Sequence, residues 1–257
     1  MGDREVTADP NDRFDLSRPN MIGLAAAVGM GVAVSSPASA GPSPTGLGHP
    51  ITPWQSRPRS LGAAGARPQD DDRIAELVPP PPLDVPLDAA PEDHPMRKTF
   101  AAVPPAPESA LAAQTISWRR ADIGAANGHG NARFLARVLS PISLEGKANG
   151  VQLLGPATID LIFQEQANGT DLVLAMPARW GIGYALPKPE AVPDIPNERI
   201  CYWGGWGGSM AVMNPDRRTT FAYVMNKMGQ VTSAGTERTQ KYTRLIYQAL
   251  GSPTGNT

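Results

Sequence analysis

The sequence predicts an α+β fold in which an antiparallel sheet is flanked by helices. Runs rich in β-branched and aromatic residues are concentrated between residues 179 and 229, and such runs are typical of strands. Segments before and after them place apolar residues at helical spacing. Asn214-Pro215-Asp216, between two of the strand runs, is a turn signal, because asparagine tolerates unusual backbone angles and proline fixes its own. Strands joined by so short a turn are antiparallel.

The chain is unevenly composed. Of its 28 prolines, 19 lie in the first 110 residues, whereas most aromatic residues lie beyond Trp118. Only the later part is therefore expected to bury a core. We predict a disordered or signal-like low-complexity segment over 1–70, a Pro-rich extended segment over 71–117, a folded domain over 118–251 and a disordered tail over 252–257.

An apolar run near the N-terminus bears on the compartment. Residues 21–34 are followed by Ala38-Ser39-Ala40, a pattern typical of the cleavage site of a secretory signal peptide. Residues 1–20 are net negative, which argues against export because a signal peptide needs a positive segment ahead of its apolar run. The run is too short to span a bilayer as a helix, so we expect no membrane span. A cytoplasmic location is favoured, and secretion is the alternative if Met21–Ala40 is a signal peptide.

Charge and composition argue against several classes of site. The net charge is -1 and no long basic run is present, so nucleic acid is not expected as a partner. The histidines His49, His94 and His129 are scattered and lack the spacing of a metal site. The single cysteine, Cys201, excludes an intrachain disulfide. We therefore predict no metal and no cofactor, and we interpret Cys201 as a small buried apolar residue.

Capping signals and apolar spacing predict three helices. Asn131 is an N-cap for a helix that Pro141 ends. Pro156 starts a second helix at its first position, after an extended piece at 151–154. A third helix begins at Glu237. The faces expected to be buried consist of Phe134, Leu135, Val138 and Leu139 in the first helix, Ile159, Ile162 and Phe163 in the second, and Tyr242, Leu245, Ile246, Ala249 and Leu250 in the third, which Gly251 ends.

Four strands are predicted between the second and third helices. The stretch 180–186 alternates large residues with glycine or alanine, which is the two-residue period of a strand with one large-residue face. The runs 200–203, 210–213 and 219–225 are apolar or β-branched and lack glycine and proline. They predict three consecutive strands of one antiparallel sheet.

A glycine-rich turn separates the first two of these three strands. Four glycines lie within the five residues from Gly204 to Gly208. Glycine loses more backbone entropy on folding than any other residue, so the turn predicts close approach by a ligand or a neighbouring strand. Ser209 follows two glycines but lacks the second flanking glycine of a nucleophile elbow. We interpret Ser209 as a structural serine.

Five stretches of the sequence carry a family resemblance: Asp72–Val78 with the four prolines after it, Ala125–Arg133, Arg179–Tyr184, Trp203–Ser209 and Phe221–Gly229. They resemble the β-lactamase-related serine hydrolases, and the nearest branch is the family VIII carboxylesterases. They follow the family's order over about residues 70–250, the C-terminal half of a typical member. The resemblance implies a β-lactamase/transpeptidase-like fold that is incomplete in this chain.

The resemblance also implies the kind of site. Family members use a Ser-x-x-Lys that supplies the nucleophile and its base, a tyrosine that shuttles the proton, and a third element on a sheet-edge strand that lines the acyl pocket. Only the third element is matched here, by Trp203-Gly204-Gly205; no serine in the sequence is followed by lysine three residues later, and no Tyr-x-Asn is present. The resemblance thus implies a substrate pocket at Trp203, Gly204, Gly205 and Trp206, with His129 beside it, and identifies no catalytic residue.

Two hypotheses from different functional classes follow. The first is a serine hydrolase that acts on a small-molecule ester or β-lactam through an acyl-enzyme, in a truncated form that lacks its nucleophile. The second is a non-catalytic fragment or a binding-only domain, with export as a further variant. The missing Ser-x-x-Lys favours the second hypothesis for this chain alone, whereas the first is the better statement of its ancestry.

Overall fold

The structure is a computed structural model that describes residues 68–81, 90–100, 107–121, 128–230 and 235–251. The signal-like run, His49 and the tail over 252–257 lie outside these residues. Among the described residues, none of the helices has the length and apolar character needed to cross a membrane.

The Pro-rich segment is only partly extended. A 3-10 helix spans Pro68–Arg73, and helices α1, α2 and α3 span Pro95–Phe100, Pro107–Ala112 and Ile116–Arg120. Val78 lies beside the main sheet: its N–H donates to Asn226 C=O (2.8 Å) and its C=O accepts from Met228 N–H (2.9 Å). The expectation of an extended segment over 71–117 is therefore wrong where these helices lie, and the division into domains stays a prediction.

The centre of the fold is a three-stranded sheet with the order β5-β6-β7. Its strands are β5 (Cys201–Gly204), β6 (Met210–Asn214) and β7 (Thr219–Tyr223). Both pairs are antiparallel, with Trp203 opposite Ala211 and Val212 opposite Phe221. Every residue of β6 is buried. The predicted antiparallel sheet is confirmed.

Two smaller hairpins precede this sheet. Strands β1 (Lys147–Ala148) and β2 (Val151–Gln152) pair over two residues each, so the extended piece predicted at 151–154 is short. Strands β3 (Ala167–Asp171) and β4 (Met176–Trp180) form a longer antiparallel hairpin. Only the last residue of β4 lies within a strand that the sequence predicted.

The strand predicted over 180–186 is wrong between residues 181 and 184. The chain reverses there: Gly181 N–H donates to Tyr184 C=O (2.9 Å), and Gly183 has a φ of 78°. A Cβ atom at Gly181 would collide with the carbonyl oxygen of Ile162. The alternation of large and small residues therefore reflects one glycine that the tight turn requires, Gly183, and one that the approach of the Ile162 carbonyl requires, Gly181. Ala185 then pairs with Tyr202 through two hydrogen bonds of 2.9 Å and joins this hairpin to β5.

Two helices cover one face of the central sheet. They are α4 (Ala132–Ser143) and α5 (Pro156–Phe163), and the predicted N-terminal signals of both are present. The Asn131 side chain accepts from Phe134 N–H (2.9 Å), and Pro156 occupies the first turn of α5. Their apolar side chains pack with residues of β5 and β6 in one cluster. The buried members are Leu139, Ile142, Leu186, Cys201, Ala211 and Met213, and Leu135, Ile162 and Phe163 pack against them.

Pro141 was expected to end α4 but lies inside it. A proline in a helix removes the hydrogen bond to the carbonyl four residues earlier, which here belongs to Arg137. The Ser140 hydroxyl donates to that same carbonyl (2.9 Å), so the freed acceptor keeps a partner. The helix can therefore continue to Ser143.

Helix α6 (Glu237–Ala249) covers the opposite face of the sheet. Its buried residues are Thr239, Thr243 and Tyr247. The predicted apolar face is wrong, because Tyr242 is 41% exposed and Leu245 is 50% exposed. The side chain of Tyr247 joins the core cluster that also contains residues of β5 and β6. Both faces of the sheet are thus covered by helices, as the α+β prediction required.

Candidate functional site

The outer edge of β5 offers main-chain groups beside Trp203. Tyr202 uses its N–H and C=O on this edge, where both bond to Ala185, whereas Gly205 N–H donates inward to Ser209 C=O (2.7 Å). Successive residues of a strand direct their main-chain groups to opposite edges. The N–H of Gly204 therefore points to the outer edge, two residues beyond Tyr202, which pairs with Ala185.

The chain leaves β5 through a tight turn over residues 205–208. Gly208 N–H donates to Gly205 C=O (3.0 Å), and Gly207 at the third position has a φ of 97°. That is the arrangement of a type II turn, which requires a positive φ at its third residue. Trp206 occupies the second position and is half-buried.

The glycines of this turn pack against another segment of the same chain. Gly229 N–H donates to Gly207 C=O (3.0 Å). A Cβ atom at Gly207 would lie 2.7 Å from Met228 Cγ, and one at Gly208 would collide with the Thr236 side chain. The close approach at Gly207 and Gly208 is thus made by a segment of the same chain that follows the sheet, and not by a neighbouring strand as one of the two predicted causes required. Thr236 is the N-cap of α6, so the turn is fixed to the start of that helix.

Trp203 is paired with a second tryptophan from the β3–β4 hairpin. The ring centroids of Trp180 and Trp203 lie 4.7 Å apart, with the ring planes at 52°. The Trp180 indole N–H donates to Asp171 Oδ2 (3.1 Å). The pair was not predicted from the sequence, because Trp180 was interpreted as the start of a strand and no local pattern relates two residues on different hairpins.

His129 lies half-buried two residues ahead of the N-cap of α4. Helix α4 packs on β6 and β7, whereas Trp203 is on β5. The role of His129 beside the pocket stays a prediction, as do the pocket roles of Trp203, Gly204, Gly205 and Trp206.

Two side chains near this turn could in principle act as nucleophiles, the Ser209 hydroxyl and the Cys201 thiol, but both have structural roles. The Ser209 hydroxyl accepts from Met225 N–H (3.2 Å), which agrees with its interpretation as a structural serine. The Cys201 side chain is fully buried in the apolar cluster under α4, and burial raises the pKa of its thiol. A thiol held neutral is a poor nucleophile. Among the described residues, no group of three or more His, Cys, Asp or Glu side chains is arranged to hold a metal ion.

The family model described as Beta-lactamase matches residues 36–242, well over half of the chain. The chain belongs to the β-lactamase family. This match begins further toward the N-terminus than the resemblance over residues 70–250 had indicated, and it enters the segment expected to be of low complexity. A comparison with curated proteins gives no significant match.

Solved structures of β-lactamase-like proteins support the same fold. A penicillin-binding protein homologue from Caulobacter crescentus is 31% identical, with a TM-score of 0.58 over 73% of this chain and 47% of its own. A family VIII carboxylesterase is 26% identical, with a TM-score of 0.58 over 72% of this chain and 46% of its own. EstA from Arthrobacter nitroguajacolicus Rue61a is 17% identical, with a TM-score of 0.58 over 73% of this chain and 49% of its own, and it shows the fold alone. The chain thus spans about half the length of these proteins.

Proposed function

We propose that this chain forms the acyl-binding wall of a serine hydrolase that acts on carboxylic esters or β-lactams through an acyl-enzyme. The observation that carries the proposal is the placement of Trp203 and the outward Gly204 N–H next to each other on the outer edge of β5. Membership of the β-lactamase family supports hydrolytic chemistry. The relatives described as a carboxylesterase and a penicillin-binding protein homologue support both substrate classes.

The two groups have complementary tasks in this reaction. When a serine oxygen attacks a carbonyl, the carbonyl oxygen gains negative charge, and a main-chain N–H fixed in advance stabilises that charge. The N–H of Gly204 is fixed by the strand pairing on either side of it. The paired rings of Trp180 and Trp203 present apolar surface against which an acyl group can pack.

The nucleophile and its base are proposed to come from residues other than those of this chain. No Ser-x-x-Lys occurs in the sequence, and a serine hydroxyl needs a nearby base to become nucleophilic. Ser209 holds a main-chain N–H instead. The alternative function, a domain that binds such ligands without turning them over, is favoured by the same absence of a Ser-x-x-Lys.

Hydrolysis and binding by the purified chain test the proposal together. We expect no more than background hydrolysis of 4-nitrophenyl butyrate and of a chromogenic cephalosporin. We also expect saturable binding of phenylacetate and hexanoate, the acids left by ester hydrolysis, measured by tryptophan fluorescence and weakened in Trp203→Ala. Leu245→Ala, on the exposed face of α6, is the control. Turnover that disappears in Ser209→Ala would identify Ser209 as the nucleophile. The absence of saturable binding would contradict the proposed acyl-binding role.

The coding DNA separates the hydrolase from the binding-only alternative. A Ser-x-x-Lys and a tyrosine motif encoded upstream, in any of the three frames, would support the hydrolase. Their absence there, together with binding and no turnover, would favour the binding-only domain.

A further inference from the structure

The Asp171 carboxylate connects the two ends of the β3–β4 hairpin. Asp171 lies opposite Met176 at the turn, and Trp180 lies opposite Ala167 at the far end. Nevertheless, Asp171 Oδ2 accepts the hydrogen bond from the indole N–H of Trp180 (3.1 Å). The indole is therefore directed back along the hairpin toward its turn.

The other oxygen of the same carboxylate is used within the turn. Asp171 Oδ1 accepts from the N–H groups of Val173 (2.9 Å) and Leu174 (2.8 Å), and Asp171 C=O accepts from Ala175 N–H (2.8 Å). The two bonds to Oδ1 hold the carboxylate in one orientation, and the main-chain bond fixes the turn around it. The acceptor that meets the indole is thus itself fixed.

The fixed indole is the one that contacts Trp203. The two rings come from different hairpins, and the main-chain pairing at Ala185 connects those hairpins. A tryptophan held at its N–H has fewer rotamers to explore, and a ring pair at 4.7 Å and 52° lies in the range where aromatic rings attract each other. Asp171 therefore influences the shape of the surface beside Gly204 without reaching it.

We infer that Asp171 is a positioning residue that holds Trp180 against Trp203, so that the ring pair selects flat aromatic acyl groups over straight-chain ones. This inference rests on the proposed function. The flat ring of an aromatic acyl group can pack along its whole face only against a tryptophan ring held in one position. A flexible alkyl chain can adjust to the tryptophan ring whether that ring is held or displaced. Loss of the Asp171 bond should therefore lower the affinity for an aromatic acid and leave that for a straight-chain acid unchanged.

Asp171→Asn is the variant that separates the two tasks of the carboxylate. The amide oxygen of asparagine can replace Oδ1 and keep the two bonds to the turn. Its NH2 group then faces the indole N–H, and two donors cannot bond. The turn is retained and the bond to Trp180 is lost. Glu190→Gln is the matched control, because Glu190 is a largely exposed acid that pairs with Lys188 (3.0 Å).

The first measurement is the far-ultraviolet circular dichroism of the full chain, in which two tryptophans in close contact give an exciton couplet. The couplet should be present in the unmodified protein and in Glu190→Gln, and it should weaken in Asp171→Asn while the unfolding midpoint stays within a few degrees. An unchanged couplet in Asp171→Asn overturns the inference.

The second measurement is binding of phenylacetate and hexanoate. We expect Asp171→Asn to weaken phenylacetate binding about threefold to tenfold, the range of a single hydrogen bond, with hexanoate unchanged. In a Trp180→Phe background, which lacks the indole donor, Asp171→Asn should have no further effect on the ratio of the two affinities. An equal loss for both acids, or a loss that persists in Trp180→Phe, overturns the selective role. If the unmodified protein binds neither acid, the proposed function fails, and the couplet alone then decides whether Asp171 positions Trp180.

Discussion

The helices α4 and α6 cover opposite faces of the same sheet but bury different kinds of residue. Helix α4 packs Leu139 and Ile142 into the core. Its apolar spacing predicts Leu139, but Ile142 lies beyond the predicted end of the helix, and Val138 of the predicted face is 49% exposed. Helix α6 buries Thr239 and Thr243 instead and leaves Leu245 half exposed. Apolar periodicity therefore located both helices, but it identified only part of the buried face of α4 and not that of α6.

The threonines of α6 can be buried because their hydroxyls have partners within the helix. Thr243 Oγ1 donates to Thr239 C=O (2.8 Å), and Thr239 Oγ1 donates to Thr236 C=O (2.9 Å). A buried hydroxyl costs little once it is hydrogen-bonded. The face of a helix that meets a sheet is thus decided by which side chains fit there with their polar atoms satisfied.

The largest expected difference between the helices is in the cost of shortening a leucine. Leu139 is 5% exposed, and removing a buried leucine side chain costs the lost burial plus the cavity it leaves. We expect Leu139→Ala to lower the free energy of unfolding by about 3 kcal/mol. Urea denaturation followed by circular dichroism measures this change.

Leu245→Ala is the matched variant on the other helix. Because Leu245 is 50% exposed, the expected change is within about 0.5 kcal/mol. A loss at Leu245 as large as that at Leu139 would mean that the outer face of α6 is covered in solution, and it would break the contrast between the two helices.

A second, smaller difference is in the response to alkaline pH. Burial raises the pKa of Tyr247 on α6 from 10.0 to about 12. The folded state therefore favours the neutral phenol, so the stability that Tyr247 contributes is complete below pH 10 and is lost as the pH rises toward 12. We expect the free energy of unfolding to fall by about 2 kcal/mol across this window through Tyr247.

Tyr247→Phe tests that pH dependence, because it removes the titrating group and keeps the ring. Unfolding midpoints measured between pH 9 and 12 should fall less steeply in Tyr247→Phe than in the unmodified protein. Burial also raises the pKa of Tyr184 to about 12 and raises the pKa of Tyr202 and of the Cys201 thiol, so part of the slope should remain in Tyr247→Phe and should decrease again when Tyr184→Phe is added. Tyr242→Phe, on the outer face of α6, is the control for loss of a phenol. If the unfolding midpoint of Tyr247→Phe falls with pH as steeply as that of the unmodified protein, Tyr247 is not a source of the alkaline loss of stability.

Local signals explain most of what the sequence predicted correctly. An N-cap such as Asn131, a first-turn proline such as Pro156 and a turn such as 214–216 act through their own backbone neighbours. The family resemblance added the position of the Trp203-Gly204-Gly205 element. The antiparallel central sheet and the family could therefore be predicted from the amino-acid sequence alone.

The errors occurred where a distant or second residue decides the outcome. Gly181 must be glycine because the carbonyl of Ile162 lies against it, and the carbonyl that Pro141 leaves without its helical donor is bonded by the Ser140 hydroxyl. The Trp180 indole of the Trp180–Trp203 pair is hydrogen-bonded by Asp171 at the other end of a hairpin. None of these contacts has a periodic signature in the sequence, so periodicity alone could not find them.

The smallest expected difference concerns the N-caps of the two helices. The Asn131 side chain accepts from Phe134 N–H (2.9 Å) at the start of α4, and the Thr236 side chain accepts from Thr239 N–H (3.3 Å) at the start of α6. We expect Asn131→Ala and Thr236→Ala each to lower the free energy of unfolding by about 1 kcal/mol through loss of the cap. Urea denaturation, with the m value unchanged between variants, measures both changes in the free energy of unfolding.

Thr236 has a second task that Asn131 lacks, because its side chain lies against Gly208 in the turn of the candidate site. Thr236→Ser keeps the capping oxygen and removes the methyl group, so it separates the two tasks. If the cap dominates, Thr236→Ser should recover most of the stability lost in Thr236→Ala. If Thr236→Ser loses as much as Thr236→Ala, packing of the methyl group on the glycine turn is the larger contribution, and the start of α6 then acts mainly as a support for that turn.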